Sequence, residues 1–213
     1  MRIGRTTLVA CCLAVAALGL AATEPGAPLT PDAPPQQPSA DPPPGDLLIA
    51  SAQIGDPRFH HAVVLLLRHD KDGAFGIIIN HPLAEERIAK LLEATGDDAA
   101  GVDGSVRVFL GGPVQPELGF LIHDADYRRA ETMMVDDKVA MTGSKDSLRD
   151  IGQHKGPRKY LFALGYTGWG PGQLEAEIAR NDWFTVPEDP ALVFDEDRDT
   201  VWDKALARRG RDL

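Results

Sequence analysis

Two runs of consecutive apolar residues, AVVLLLRH at 62–69 and FGIIIN at 75–80, constrain this chain most tightly. Successive side chains of a strand point to opposite faces, so a strand wetted on one face alternates apolar and polar residues. VVLLL and III do not alternate, and both faces of these strands must therefore be covered. Their β-branched character and short length favour strands over helices. Asp70-Lys71-Asp72-Gly73 between them is a polar, glycine-ended turn, which makes them antiparallel neighbours in a hairpin.

Further elements follow from the same reasoning. DLLIASA from Asp46 opens the domain as a strand, and Pro82 stops the third one. The spacing of Ile88, Leu91 and Leu92 predicts a helix over 84–94, ended by Gly96. VRVFL at 106–110 and GFLIH at 119–123 read as strands, residues 131–141 as one or two short ones, and 144–151 as a helix that Thr142 or Ser144 caps. KYLFALGYTGWG at 159–170 is a buried strand breaking into a glycine-rich turn. PGQLEAEIARN at 171–181 is a helix with Pro171 in its first turn. WFTV at 183–186 adds a strand, and 199–209 closes the chain as a helix with Val201, Trp202 and Leu206 inward. Hairpins with helices inserted between them, without strict strand–helix alternation, predict an α+β fold on a mixed, mostly antiparallel sheet.

The N-terminal part is of another kind. Arg2 and Arg5 precede an uncharged apolar run from Leu8 to Ala22, the arrangement of an export signal with cleavage expected after Ala21. Residues 23–45 are rich in Pro and Ala with almost no large apolar side chain, which predicts a disordered tether. The expected organisation is an export segment at 1–22, a tether at 23–45 and one domain at 46–213. The expected location is the periplasm or the exterior, with an anchored or cytoplasmic form as the alternative. Membrane contact is expected only through the leader, if it is uncleaved.

Charge and cysteine content remove several functions. The chain carries a net charge of -10, and 20 basic against 29 acidic groups remain from Asp46 onward. Such a domain repels polyanions, and a nucleic-acid partner is not expected. Both cysteines, Cys11 and Cys12, lie in the leader, so the domain has no thiolate nucleophile, disulfide or Cys-ligated zinc. The six histidines share no metal-ligand spacing, neither nucleotide-binding fingerprint is present, and no GxSxG elbow supports a serine triad. No metal and no cofactor are expected.

Taken in order, DLLIA, DPRFHHAVVLLLRHDKDGAFGIIIN, VFLGGPV, GFLIHD and ALGYTGWGPGQLEAEIARNDWF resemble the YqgE/AlgH family of bacterial proteins over nearly all of 45–213. The resemblance implies a bifurcated sheet curled into a partial barrel with flanking helices. Some members carry the label of a transcriptional regulator linked to alginate production, without an evident DNA-binding motif, and most lack a leader. This chain departs from that pattern by its export segment, and by His81 where Lys or Arg is expected.

The candidate site is a cleft at two glycine-rich turns. Gly111, Gly112 and Pro113 end one strand; Gly168 with Tyr166 and Trp169 ends another, ahead of a helix whose free N–H groups can hold an anion or a peptide end. The competing reading makes these glycines packing devices and Trp169 a core plug. Asn80, His123, Gln173 and Glu177 complete the candidate ligand-binding set, with no residue assigned a catalytic role. His69 beside Asp70 and Asp72, and His123 beside Asp124 and Asp126, read as exposed turn chemistry, Glu175 and Glu177 as the solvated side of their helix, and the acidic run at 195–199 as another solvated stretch with weak calcium affinity. The expected function is a binding or regulatory module for an unidentified ligand or protein partner. The rivals are a hydrolase using His123, Asn80 or Glu177 in that cleft, and a cytoplasmic transcription-related regulator.

Overall fold

The structure, a computed structural model, describes residues 41–143 and 145–209. The segments expected to be an export leader and most of a tether, and the expected Ser144 cap, lie outside the described residues. Ten strands among these residues form the sheet: β1 (Leu47–Ala50), β2 (Val63–Asp70), β3 (Gly73–Ile78), β4 (Pro82–Arg87), β5 (Ser105–Leu110), β6 (Val114–Asp124), β7 (Met133–Met134), β8 (Val139–Thr142), β9 (Tyr160–Trp169) and β10 (Trp183–Val186). Among the described residues five helices flank it: α1 (Ile88–Ala94), α2 (Lys145–Gly152), α3 (Gln173–Ala179), α4 (Pro190–Val193) and α5 (Val201–Arg208). No helix among the described residues is long and apolar enough to cross a membrane.

The strand order β10-β1-β2-β3-β9-β6-β8-β7 carries a side branch in which β5 pairs with both β4 and β9, and the sheet curls into a half-barrel. β9 is the fork. One of its edges pairs with β6; the other pairs in parallel with β5 through Phe162, Ala163 and Leu164, then antiparallel with β3 through Thr167, Gly168 and Trp169. The edge changes partner across Gly165 and Tyr166, and there Gly111 and Gly112 wedge in. Gly111 N–H donates to the Leu164 carbonyl at 2.8 Å, and its own carbonyl accepts from Ile78 N–H at 2.8 Å, so one residue bridges both arms. A Cβ on Gly112 would stand 2.1 Å from the Tyr166 carbonyl carbon, and one on Gly165 would stand 2.4 Å from the Gly112 oxygen. Only glycine lets two backbones pass this closely.

The unbroken apolar runs are divided by the pleat between two cores, as their lack of alternation requires. Val63, Leu65 and Leu67 of β2 face one cluster with Leu47, Ile49, Ile77 and Val201. Val64 and Leu66 face another with Leu48, Ile78, Leu174, Trp169 and Trp183. A third cluster joins α1 and α2 to the branch through Ile88, Leu92, Val106, Leu148 and Phe162. Each such Leu, Ile or Val, fully removed from water, contributes on the order of 2 kcal/mol.

Several element boundaries differ from expectation. The helix predicted over 84–94 begins only at Ile88. Residues Ala84 to Arg87 pair with Ser105 to Val108 instead, because a facing strand satisfies their backbone groups. Pro171 precedes α3, which starts after Gly172 in a left-handed conformation at φ 72°. The closing helix is a 3-10 turn at Arg198–Thr200 followed by α5. Val201 and Ala205 are buried there, while Trp202 is half-buried and donates its indole N–H to the Ala50 carbonyl at 2.8 Å. The packed chain also begins ahead of Asp46: Pro42 is buried, its carbonyl lies 2.9 Å from His69 Nδ1, and Gly45 N–H donates to Leu66.

Candidate functional site

The end of β9, the face of α3, the start of β10 and the loop after β1 enclose a cavity of about 410 Å³. The loop contributes Ile54, Asp56, Arg58 and Phe59. Its tight geometry follows from Asp56, which caps a 3-10 turn by accepting from Arg58 N–H, with Pro57 inside the turn. β9 supplies Gly168 and Trp169, α3 supplies Gln173, Glu177 and Arg180, and β10 supplies Trp183. Pro113 also lines it.

Two indoles and one carboxylate organise this site. Glu177 Oε2 accepts from Trp169 Nε1 at 2.8 Å and from Trp183 Nε1 at 2.8 Å, while Oε1 accepts from Gln173 Nε2 at 2.9 Å. Gln173 in turn accepts Gly170 N–H at 3.1 Å. The rings meet edge to face, Trp169 with Trp183 at 5.8 Å and Phe59 with Trp183 at 5.4 Å. The rim charges are paired: Arg58 holds Asp56 through its guanidinium, and Arg180 donates to Asp182 at 2.7 Å. The side-chain hydrogen bond from Arg58 holds the Asp56 carboxyl below the usual carboxylate range.

Five of the ten residues singled out from sequence meet in this cavity: Pro113, Gly168, Trp169, Gln173 and Glu177. The other five lie elsewhere. Asn80 is a buried stitch, its Oδ1 accepting Val63 N–H at 2.8 Å and its Nδ2 donating to the His61 carbonyl at 2.9 Å. Gly111 and Gly112 form the fork described above. Tyr166 packs on Phe75 at 4.9 Å, on the opposite side of β9 from Trp169. His123 corrects the exposed-turn reading, because it is fully buried on β6. Its Nδ1 faces the Asp124 carbonyl at 2.8 Å, which can only accept, so that nitrogen carries the proton and Nε2 accepts from Thr142 Oγ1 at 2.8 Å. Burial pushes its pKa down, and the ring is a neutral core hydrogen-bonder.

Other sequence expectations also change. His69, with its side chain 2% exposed, is not exposed turn chemistry, and Glu177 is not a solvated helix side but the common acceptor of two buried indoles. The Gly170 amide ahead of α3 is taken by Gln173. In the acidic run at 195–199, Arg198 turns inward and Asp195 pairs with Lys204 at 2.6 Å. Phe59, Arg58 and Trp183 line the site without being expected there. The DPRF turn signal and the aromatic content of NDWF are the traces they leave in the sequence.

Asp41, His69 and Glu175 bring potential ligand atoms within 4.8 Å of one another. They do not converge on one ion, because the imidazole presents Nε2 to Glu175 at 3.0 Å and Nδ1 to Asp41 at 3.3 Å from its two sides. Pro42 O and Glu175 both accept, so both ring nitrogens carry protons. Burial opposes that charge, but the Pro42 carbonyl, Glu175 and Asp41 outweigh it and raise the His69 pKa.

The AlgH-like family model matches residues 47–213. This chain belongs to the AlgH-like family. A UPF0301 protein of Jannaschia sp. is 46% identical over 170 residues, covering 79% of this chain and 88% of the relative. One from Methylococcus capsulatus is 41% identical over 167 residues, covering 78% and 88%. The solution structure of the AlgH protein from Pseudomonas aeruginosa superposes with a TM-score of 0.66 at 34% identity, over 85% of this chain and 93% of that one. A crystal structure of a Corynebacterium diphtheriae protein, at 20% identity and a TM-score of 0.62, covers 79% and 87% and shares the fold. The YqgE/AlgH resemblance and the bifurcated, curled α+β sheet expected from sequence are both borne out.

Proposed function

We propose that this AlgH-like chain is an exported binding module whose cavity at Trp169 and Glu177 receives a peptide end. One observation carries the reading. The cavity combines an aromatic wall of Phe59, Trp169 and Trp183 with carboxylates and guanidiniums, Asp56, Arg58, Glu177, Arg180 and Asp182. The guanidiniums of Arg58 and Arg180, paired but 61% and 60% exposed, can be shared with the carboxylate of a peptide end whose apolar side chain rests on the aromatic wall. The absence of Ser, Thr, Cys, His, Lys and Tyr from the described lining, and the engagement of Glu177 by three donors, favour capture over catalysis. Location outside the cytoplasm rests on Arg2, Arg5 and the apolar run behind them.

Titration calorimetry of the chain with tetrapeptides bearing free ends, against the same peptides with blocked ends, tests the capture. Heat of binding is expected only for free ends, and Trp169→Ala should abolish it while circular dichroism stays unchanged. Equal binding by Trp169→Ala refutes the site. Finding the mature protein with its leader intact in the soluble cytosol refutes the export.

A further inference from the structure

A second cavity, of about 480 Å³, opens between β5, the start of β9 and the segment leading into α5. Its lining is unusual for a chain this acidic: Arg107, Arg158, Lys159 and Arg198 stand against Glu196 alone. Arg198 is the informative member. It is only 8% exposed, its Nη1 donates to the carbonyls of Val193 at 2.9 Å and Ile79 at 3.4 Å, and its guanidinium lies 5.1 Å from the centre of the Phe109 ring. Its Nε is buried and has no acceptor. A buried guanidinium with an unused donor is costly, because the desolvated charge is only partly compensated.

The surrounding acids do not make up the difference. Asp195 attracts Arg198 but is held by Lys204, Glu196 is exposed, and Arg107 repels Arg198. Burial brings the Arg198 pKa down to about 10, so the group is still charged at neutral pH. On the rim, Arg158 pairs with Asp126 and sits 4.0 Å from Asp124, and Arg107 donates to the Glu196 carbonyl at 3.3 Å.

We infer that this cavity binds a small phosphate-bearing anion, with Arg198 as its buried anchor and Arg107 and Lys159 as its rim. A planar guanidinium fork matches phosphate oxygens, and such charge-assisted bonds are the strongest available to a side chain. Tyr160 and Phe194, half-buried in the same lining, offer aromatic surface to whatever carries the phosphate. The ligand is small because the volume suits a single small molecule and the overall charge of -10 repels a long polyanion.

The full chain is titrated calorimetrically with adenosine 5′-monophosphate, adenosine and inorganic phosphate at low ionic strength. The monophosphate should bind at least tenfold more tightly than adenosine, and weaken as salt screens the site. Binding of inorganic phosphate as tight as the nucleotide supports a free oxyanion as the ligand, and weaker binding supports a phosphate on a ring carrier. Arg107→Ala with Lys159→Ala, both exposed and compatible with folding, should weaken binding at least tenfold. Arg198→Lys tests the anchor, with circular dichroism as the check on folding. No binding of any phosphate compound, equal binding of adenosine and its monophosphate, or unchanged affinity in the double variant overturns the assignment.

Discussion

Removing the Glu177 carboxylate tests whether this side chain holds the first cavity together. Glu177→Ala deletes one oxygen that accepts two indole N–H groups, on Trp169 at 7% exposure and Trp183 at 1%, and frees Gln173 from its second anchor. A buried donor left without a partner costs about 1 to 3 kcal/mol. Two such donors would cost about 2 to 6 kcal/mol. The neighbouring cavity admits water to part of the gap, so we expect about 2 to 3 kcal/mol. For a domain of this size, roughly 2 to 4 °C of melting temperature accompany each kcal/mol, so Glu177→Ala should melt about 5 to 10 °C below the parent. Glu177→Gln keeps an oxygen that can accept both indoles and should lose about 1 kcal/mol. Urea unfolding followed by tryptophan emission measures both, and the emission of the folded Ala variant should shift to the red as water reaches the rings. An Ala variant as stable as the parent to within 0.5 kcal/mol, on the order of the smallest resolvable change, would refute the clamp.

Three further outcomes follow from the same structure. Glu188, 5% exposed in its side chain, has its pKa raised to about 7 by burial and by the Asp136 carboxylate. A carboxyl raised in the folded state loses stability as pH rises from about 4.5 through 7, so Glu188→Gln should stabilise the fold by about 1 to 3 kcal/mol at pH 8 and hardly at pH 4; an equal effect at both pH values contradicts this. His69 behaves in the same sense, since its folded pKa is raised above 6.5. Its contribution is complete below 6.5 and disappears as pH climbs through the folded value, so the stability gap between the parent and His69→Gln should narrow from pH 6 to pH 9 in urea titrations. Gly112→Ala should cost more than about 2 kcal/mol, because the added carbon meets backbone that has no room to yield, and a near-neutral value by thermal melting would disprove the interlock.

The strands were legible because their signal is local. VVLLL and III cannot sit in a sheet covered on one side, and two cores do flank them. Ala84 to Arg87 misled because LAEER carries helix propensity, whereas its conformation is decided by β5, some twenty residues further on. α4 is not among the elements expected from sequence, although Asp189 and Pro190 supply both a cap and a first-turn proline. The candidate cavity was half legible. The glycine–aromatic string marks where backbone and ring come close, yet composition cannot separate Gly168, which lines the cavity, from Gly111, which serves the fork. Acceptor geometry was out of reach. Glu177 and Glu175 look alike in a helix, and only the positions of Trp183 and His69 distinguish a clamp from an ion pair.

The partner exchange on β9 has a mechanical consequence. Tyr160 at one tip lines the basic cavity and Trp169 at the other lines the aromatic one, so a single ribbon spans both. With three neighbours laced to it, that ribbon cannot peel from any one of them while the rest stay put. Its central amides should be the last in the protein to take up deuterium, and loosening either tip should be felt at the other.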